Sequence, residues 1–260
     1  MKRFSLSSAG TSLVELSVAM LIGSIVITTA YKSHDYISRT TERENQKALI
    51  QRDIMTVTEK LSREIRMAGM GLPGNGVLAK LSDTSSDELQ VFSNDTKGKR
   101  QLVANLSYSD TMILVDSIIG AKTTGWVCIA GVGRDTIYRE IGALGENVSG
   151  PDTVHLEGIV GAGTFTTGST NIFYCSRVLF KIEKTGSKTC MVVQKNGLAV
   201  NLGGEIDTLN IILKNSSGTV LTTDFRKAAF ITVFAGGYVG KGQNRFLVSE
   251  SMDINIRNCD

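Results

Sequence analysis

Two patterns of apolar residues divide the first quarter of the chain. From Thr11 to Tyr31, apolar and small residues follow one another without a period over 21 positions, and Glu15 is the only charged side chain among them. Coiled into a helix, a run of that length spans a hydrocarbon layer of about 30 Å. From Ile50 the pattern changes: Ile50, Ile54, Val57, Leu61, Ile65 and Ala68 recur at steps of four and three, which is one face of a helix. Arg43, Glu44, Lys47, Arg52, Asp53, Glu59, Lys60, Arg63 and Glu64 fill mostly the other positions and read as a solvated side. No proline or glycine interrupts Lys32 to Ala68, so one helix is expected from Thr11 to Ala68, 58 residues extending roughly 87 Å.

The period then shortens. Val/Ile/Leu/Thr runs begin at Glu88 (ELQVFS), Thr111 (TMILVDSI), Gly125 (GWVCIAG), Thr153 (TVHLE), Asn171 (NIFYCSRVLFKIE) and Thr189 (TCMVVQ). Three more begin at Leu209 (LNIILK), Ala228 (AAFITVFAGG) and Asn244 (NRFLVSESMDINI), and all nine read as strands. KTGSK at Lys184–Lys188 and KNSSG at Lys214–Gly218 read as hairpin turns. The expectation is an α+β chain: one long N-terminal helix, membrane-spanning in its first half, packed on a C-terminal antiparallel β-rich domain.

Composition sharpens this division. Twenty-seven glycines against two prolines suit a turn-rich β region, and 42% hydrophobic content in 260 residues is enough for a real core. With 28 basic and 25 acidic residues the formal charge is +3, and no block of like charge marks a nucleic-acid surface. Lys2 and Arg3 precede the apolar run with no acid beside them, so the positive-inside rule leaves residues 1–10 in the cytoplasm and everything after Tyr31 across the membrane. A secretory signal cleaved near Thr28–Ala30 would account for the basic start and the apolar run. It would not account for Glu15, since an acid inside a spanning helix costs roughly 2.5–3.5 kcal/mol and is usually there for a partner or a function.

The stretch AG/TSLVEL, with Gly10 before the break and Glu15 five residues after it, resembles the prepilin peptidase site of type IV pilins and type II secretion pseudopilins. The resemblance implies cleavage after Gly10, methylation of the new Thr11 amine and retention of the apolar segment as anchor. It also implies that Glu15 pairs with the Thr11 amine of a neighbouring subunit during assembly. Phenylalanine is usual at the first mature position of the family, and here it is Thr11. The proline that kinks many major pilins midway along this helix is absent too, which predicts a straighter segment. The organisation implied is a leader at 1–10, a transmembrane and assembly helix at 11–31, its amphipathic continuation at 32–69, and a periplasmic β-rich globular domain at 70–260. REIRMAGMG resembles the end of the helix in PilW-type minor pilins, and VLFKIEKTGSKTCMVVQKNGLAVNLGGEIDTLNIIL resembles the C-terminal region of PilW-type and GspJ-type proteins.

The partners so implied are other pilin subunits, the prepilin peptidase and an inner-membrane assembly platform. The location implied is a single-pass inner-membrane protein before assembly and a filament component afterwards, with the chain's bulk in the periplasm. A large minor pilin near the tip of a type IV pilus, acting in assembly or priming, is the leading expectation. A type II secretion pseudopilus component comes next, and a signal-anchored periplasmic β-domain with ligand-binding or enzymatic function is third.

Other motifs change little. Gly69, Gly71 and Gly74 satisfy G-x-G-x-x-G, but a helix precedes them and Pro73 lies inside, so a helix cap and exit loop is expected instead of a nucleotide site. Cys128, Cys175, Cys190 and Cys259 follow the membrane segment, in what would be an oxidising compartment. All four are candidate disulfide partners with three connectivities open, their spacings do not suit zinc, and buried free thiols are the remaining alternative. His34 and His155 have no nucleophile or acid at motif spacing and read as surface or interface residues, and Asp87 and Glu88 read as a solvated turn. The sequons at Asn94, Asn105, Asn147 and Asn215 are short enough to arise by chance. No enzyme and no cofactor is expected.

Overall fold

The structure, a computed structural model, describes residues 13–81, 86–94, 96, 98–132, 136–161, 163–185, 188–202, 206–222, 227–239 and 246–256. Gly10, Thr11 and Cys259 lie outside the described residues. The chain divides into two compact units, 1–48 and 49–260. One helix, α1 (Leu13–Arg66), contributes its first 36 residues to the first unit and its last 18 to the second.

The strands of the second unit are β1 (Val77–Lys80), β2 (Glu88–Ser93), β3 (Arg100–Gln101), β4 (Met112–Val115), β5 (Trp126–Gly131), β6 (Ile137–Gly145) and β7 (Asp152–Leu156). They continue with β8 (Thr170–Thr185), β9 (Lys188–Lys195), β10 (Leu198–Asn201), β11 (Thr208–Lys214), β12 (Val220–Leu221), β13 (Phe230–Val239) and β14 (Phe246–Asn255). All pairings are antiparallel and form two sheets. The larger runs β1-β2-β8-β5-β6-β7-β4, with β3 and β9 also on β8 and β10 on β9; the smaller runs β12-β11-β13-β14. Both expected hairpins form, since Thr185 pairs with Lys188 and Lys214 with Val220.

The stripe read from the sequence is the buried face of the last turns of α1. Val57, Leu61 and Ile65 share one cluster with Leu89, Phe180 and Met191 of the large sheet and with Leu209, Ile231 and Val233 of the small one. All nine of these residues are fully buried. Fully burying a Val, Leu or Ile side chain stabilises by roughly 1.5–3 kcal/mol, so this stripe holds the helix end to both sheets. A second cluster, including Ile113, Val127, Ile129, Val154 and Ile172, fills one face of the far half of the large sheet.

The helix ends at Arg66, and the glycines behind it close a compact loop. Gly69 has φ 68° and Gly76 has φ 63°, and each lies where a Cβ would strike backbone of the other arm of the loop. The loop is tied to β2 on both sides: Gly69 N–H donates to Phe92 C=O at 2.8 Å, and Phe92 N–H to Gly76 C=O at 2.7 Å. Glycine is needed here for close backbone approach and positive φ, which is a structural use of the G-x-G-x-x-G pattern.

Asp87 corrects the expectation of a solvated turn. Its side chain is buried, Oδ2 accepts from Ile211 N–H at 2.6 Å, and its own N–H donates to Leu209 C=O at 2.8 Å. A buried carboxylate is tolerable only when hydrogen-bonded, and this one links the start of β2 to β11 in the other sheet. Three sequon asparagines act as turn residues: Asn94, Asn147 and Asn215 accept through Oδ1 from the N–H two residues on. Asn105 Oδ1 accepts from Thr167 N–H at 2.9 Å. The Asn-x-Ser/Thr pattern is here mostly Asx-turn chemistry.

Candidate functional site

The feature of the first unit that calls for something outside the chain is the surface of α1 from Leu13 to Ile27. Leu13 is 82% exposed, Leu16 53%, Ile22 55% and Ile27 71%, and Val14, Val18, Met20, Leu21, Ile25 and Val26 are exposed with them. These residues point all round the helix, so no rotation could hide them against one flat partner. The segment passes the length and composition test for a membrane span, with a mean hydropathy of 2.0 over its best 18-residue window and none of that window buried within the chain.

Its few polar side chains are arranged to suit an apolar medium. Ser17 Oγ donates to Leu13 C=O at 2.9 Å, Ser24 Oγ to Leu21 C=O at 2.8 Å, Thr28 Oγ1 to Ser24 C=O at 2.7 Å and Thr29 Oγ1 to Ile25 C=O at 2.8 Å. Each hydroxyl satisfies itself on its own helix, so none brings an orphan donor into lipid. The sequence held this signal in the position of each Ser or Thr three or four residues after a helical carbonyl, but periodicity alone did not reveal it. Glu15 sits exposed in the first turn, near the positive end of the helix dipole, where a carboxylate is favoured. His34, further along α1, and His155, on β7, are both exposed, in keeping with their reading as surface residues.

Three of the four cysteines are described, and all three are buried thiols. Cys128 on β5 lies opposite Tyr138 on β6 and Phe173 on β8, while Cys175 on β8 lies opposite Trp126. Cys128 and Cys175 are therefore diagonal neighbours, two residues out of register. Such pairs stand about 7–8 Å apart, which is at or beyond the reach of a disulfide without backbone movement. Cys175 Sγ instead donates to Trp126 C=O at 3.4 Å, and Cys190 Sγ to Glu183 C=O at 3.6 Å.

Around Cys128 and Cys175 the outer side of the large sheet forms an aromatic cluster. Phe92 stacks on Tyr138 with ring centroids 4.2 Å apart and tilts against Trp126 at 5.3 Å, and the Arg177 guanidinium lies 4.3 Å over the Trp126 ring. Burial pushes the Cys128 thiol up to about 12, against a smaller downward pull from its hydrogen bond with Tyr138. Burial also drives the Tyr138 hydroxyl well above its ordinary value, reinforced by the two neighbouring thiols. A thiol held protonated is a poor nucleophile and metal ligand, and Cys128 packs between the aromatic rings of this cluster. Among the described residues no group of His, Cys, Asp and Glu could hold a metal ion.

Comparisons with family profiles, with curated proteins and with solved structures return no match for this chain.

Proposed function

We propose that this chain is a membrane-anchored filament subunit, a minor pilin of a type IV pilus or the equivalent pseudopilin of type II secretion. The observation that carries the reading is the helical surface from Leu13 to Ile27, apolar on every side, covered by nothing in its own chain and headed by a single acid. Apolar area exposed to water is unfavourable by roughly 25 cal/mol per Å², so this surface needs lipid or other helices around it. A subunit that exchanges one cover for the other can be stored in the membrane and drawn into a filament.

Lipid and neighbouring helices are about equally apolar, so the exchange has little hydrophobic driving force and must be directed by polar groups. Glu15 supplies one. Cleavage after Gly10 would leave Thr11 with a cationic amine, and two opposite charges at ~4 Å attract by about 4 kcal/mol at an effective dielectric of 20. Paired between subunits, that attraction sets register along the helix bundle. The prepilin peptidase and an inner-membrane assembly platform would act on the chain before and during this step, and the β-rich unit would lie on the periplasmic side.

The test is Glu15→Ala expressed in the native host. Processing and membrane insertion are expected to persist while incorporation into filaments is lost. Normal incorporation of the variant would contradict the pairing.

A further inference from the structure

The apolar run of α1 ends at Ala30, and from Tyr31 to Lys47 the large apolar or aromatic side chains are Tyr31, Tyr36 and Ile37 alone. They are 75%, 72% and 61% exposed. At 100° per residue they stand at roughly 0°, 140° and 240° around the axis, a girdle on all sides of the helix. A single facing partner would call for a stripe. A girdle calls for a medium that surrounds the helix, and tyrosine suits the place in such a medium where a ring can be apolar at one end and wet at the other.

The distances fit the edge of a bilayer. Tyr31 lies about 1.5 Å and Tyr36 about 9 Å beyond Ala30, against a headgroup layer about 5–7 Å deep on each side of the hydrocarbon. Side chains on a helix lean toward its N-terminus, so the Tyr36 ring is turned back into that layer.

Charge brackets the same span. Glu15 and Lys32 are successive charged side chains of α1, 17 residues apart, which is about 25 Å along the axis. A hydrocarbon layer of about 30 Å exceeds this by about 5 Å. Glu15 leans outward at one border and the long stem of Lys32 carries its ammonium outward at the other, which closes the difference. Sliding the helix either way draws one of the two charges into hydrocarbon. Next along the helix, Asp35 and Arg39 pair at 3.0 Å and cancel, so Lys32 leaves the stretch from Tyr31 to Arg39 with a positive charge.

We propose that Tyr31, Lys32, Tyr36 and Ile37 form a lipid-binding girdle that holds α1 at one depth in an anionic phospholipid membrane. The two tyrosines and Ile37 occupy the border between acyl chains and headgroups, and Lys32 binds the phosphate of an anionic lipid. The proposal rests on the reading of α1 as a membrane anchor and adds to it a lipid class and a depth.

The experiment uses the full chain reconstituted in vesicles of phosphatidylcholine and phosphatidylglycerol at roughly four to one, an anionic surface of the kind that attracts lysine. Photo-cross-linking benzoylphenylalanine replaces Ile22, Tyr36 or Gln46, one at a time, and lipid adducts are identified by mass. Positions 22 and 36 are expected to capture lipid, and position 46, about 24 Å beyond Ala30, to capture none. Adducts at position 36 should be enriched in phosphatidylglycerol by up to about fivefold over its share of the vesicle, the worth of one lysine at an anionic surface, and Lys32→Gln should abolish the enrichment. Capture at 22 without capture at 36 overturns the girdle and leaves the membrane anchor standing. Capture at none of the three overturns both. Capture at 46 equal to that at 36 overturns the depth. Adducts at 36 that show no enrichment, or an enrichment that survives Lys32→Gln, overturn the role of Lys32.

Discussion

The two ends of α1 are both rich in apolar residues, and they differ in where those residues find cover. From Ile50 to Ile65 the apolar positions form one stripe, and Val57, Leu61 and Ile65 are fully buried against the sheets of the same chain. From Leu13 to Ile27 they go all round, and the chain offers them nothing. The difference separates two kinds of hydrophobic surface: one is buried in folding the chain and the other is left without cover from it. A substitution in the first region should change stability, and the same substitution in the second should change location and assembly.

The largest expected effect tests that division. Leu61→Ala, at a fully buried site, should cost about 2–5 kcal/mol in urea unfolding of the full chain in detergent, while Leu16→Ala should stay within about 0.5 kcal/mol. Similar losses at both positions would erase the distinction. Glycines sharpen it next. Gly69→Ala places a Cβ against backbone at φ 68° and should cost about 1–3 kcal/mol, whereas Gly23, with nothing near its Cβ position, should accept alanine without loss.

A smaller effect appears with pH and belongs to the second unit alone. Burial holds the Cys128 thiol up at about 12, above an ordinary thiol, so the folded chain keeps a proton that the unfolded chain releases. Stability should be level below about pH 9 and fall by up to about 1.4 kcal/mol per pH unit per such group from there toward 12. Tyr138, shifted the same way, adds to the fall where unfolded tyrosine ionises, near pH 10. Chemical denaturation at pH 8 and pH 10.5 checks this, and equal midpoints would contradict the burial described. The smallest effect is Arg39→Ala on the exposed Asp35–Arg39 pair, expected at under about 0.5 kcal/mol in the same assay.

How much of this was legible in the sequence follows from what each element depends on. The described helix runs to Arg66, two residues from the expected end, because a long unbroken period and the glycines behind it are local signals. β2 and β5 were read within a residue of their bounds for the same reason, being short apolar runs between turn residues. β6 was missed: its charged residues and the register shift between Ile141 and Ala143 break the alternation that marks a strand. β10 was missed because all four of its residues are exposed and its pairing with β9 gives it order without burial.

Asp87 was misread because its partner, Ile211, lies 124 positions away, and no local pattern announces a carboxylate that joins two sheets. The offset of Cys128 and Cys175 is likewise a matter of register, which cysteine spacing does not contain. Glu15 stands out in the sequence because a single acid at the head of an apolar run breaks a pattern visible in the residues themselves, and the structure describes it in the first turn of α1.

The central claim is that the apolar segment from Leu13 onward stays with the mature protein as its means of assembly. The intact mass of the chain purified from its host membrane tests it most directly. The account predicts a chain beginning at Thr11 and carrying one added methyl group on its amine. A mature chain beginning at Tyr31, with the apolar segment removed, would contradict it.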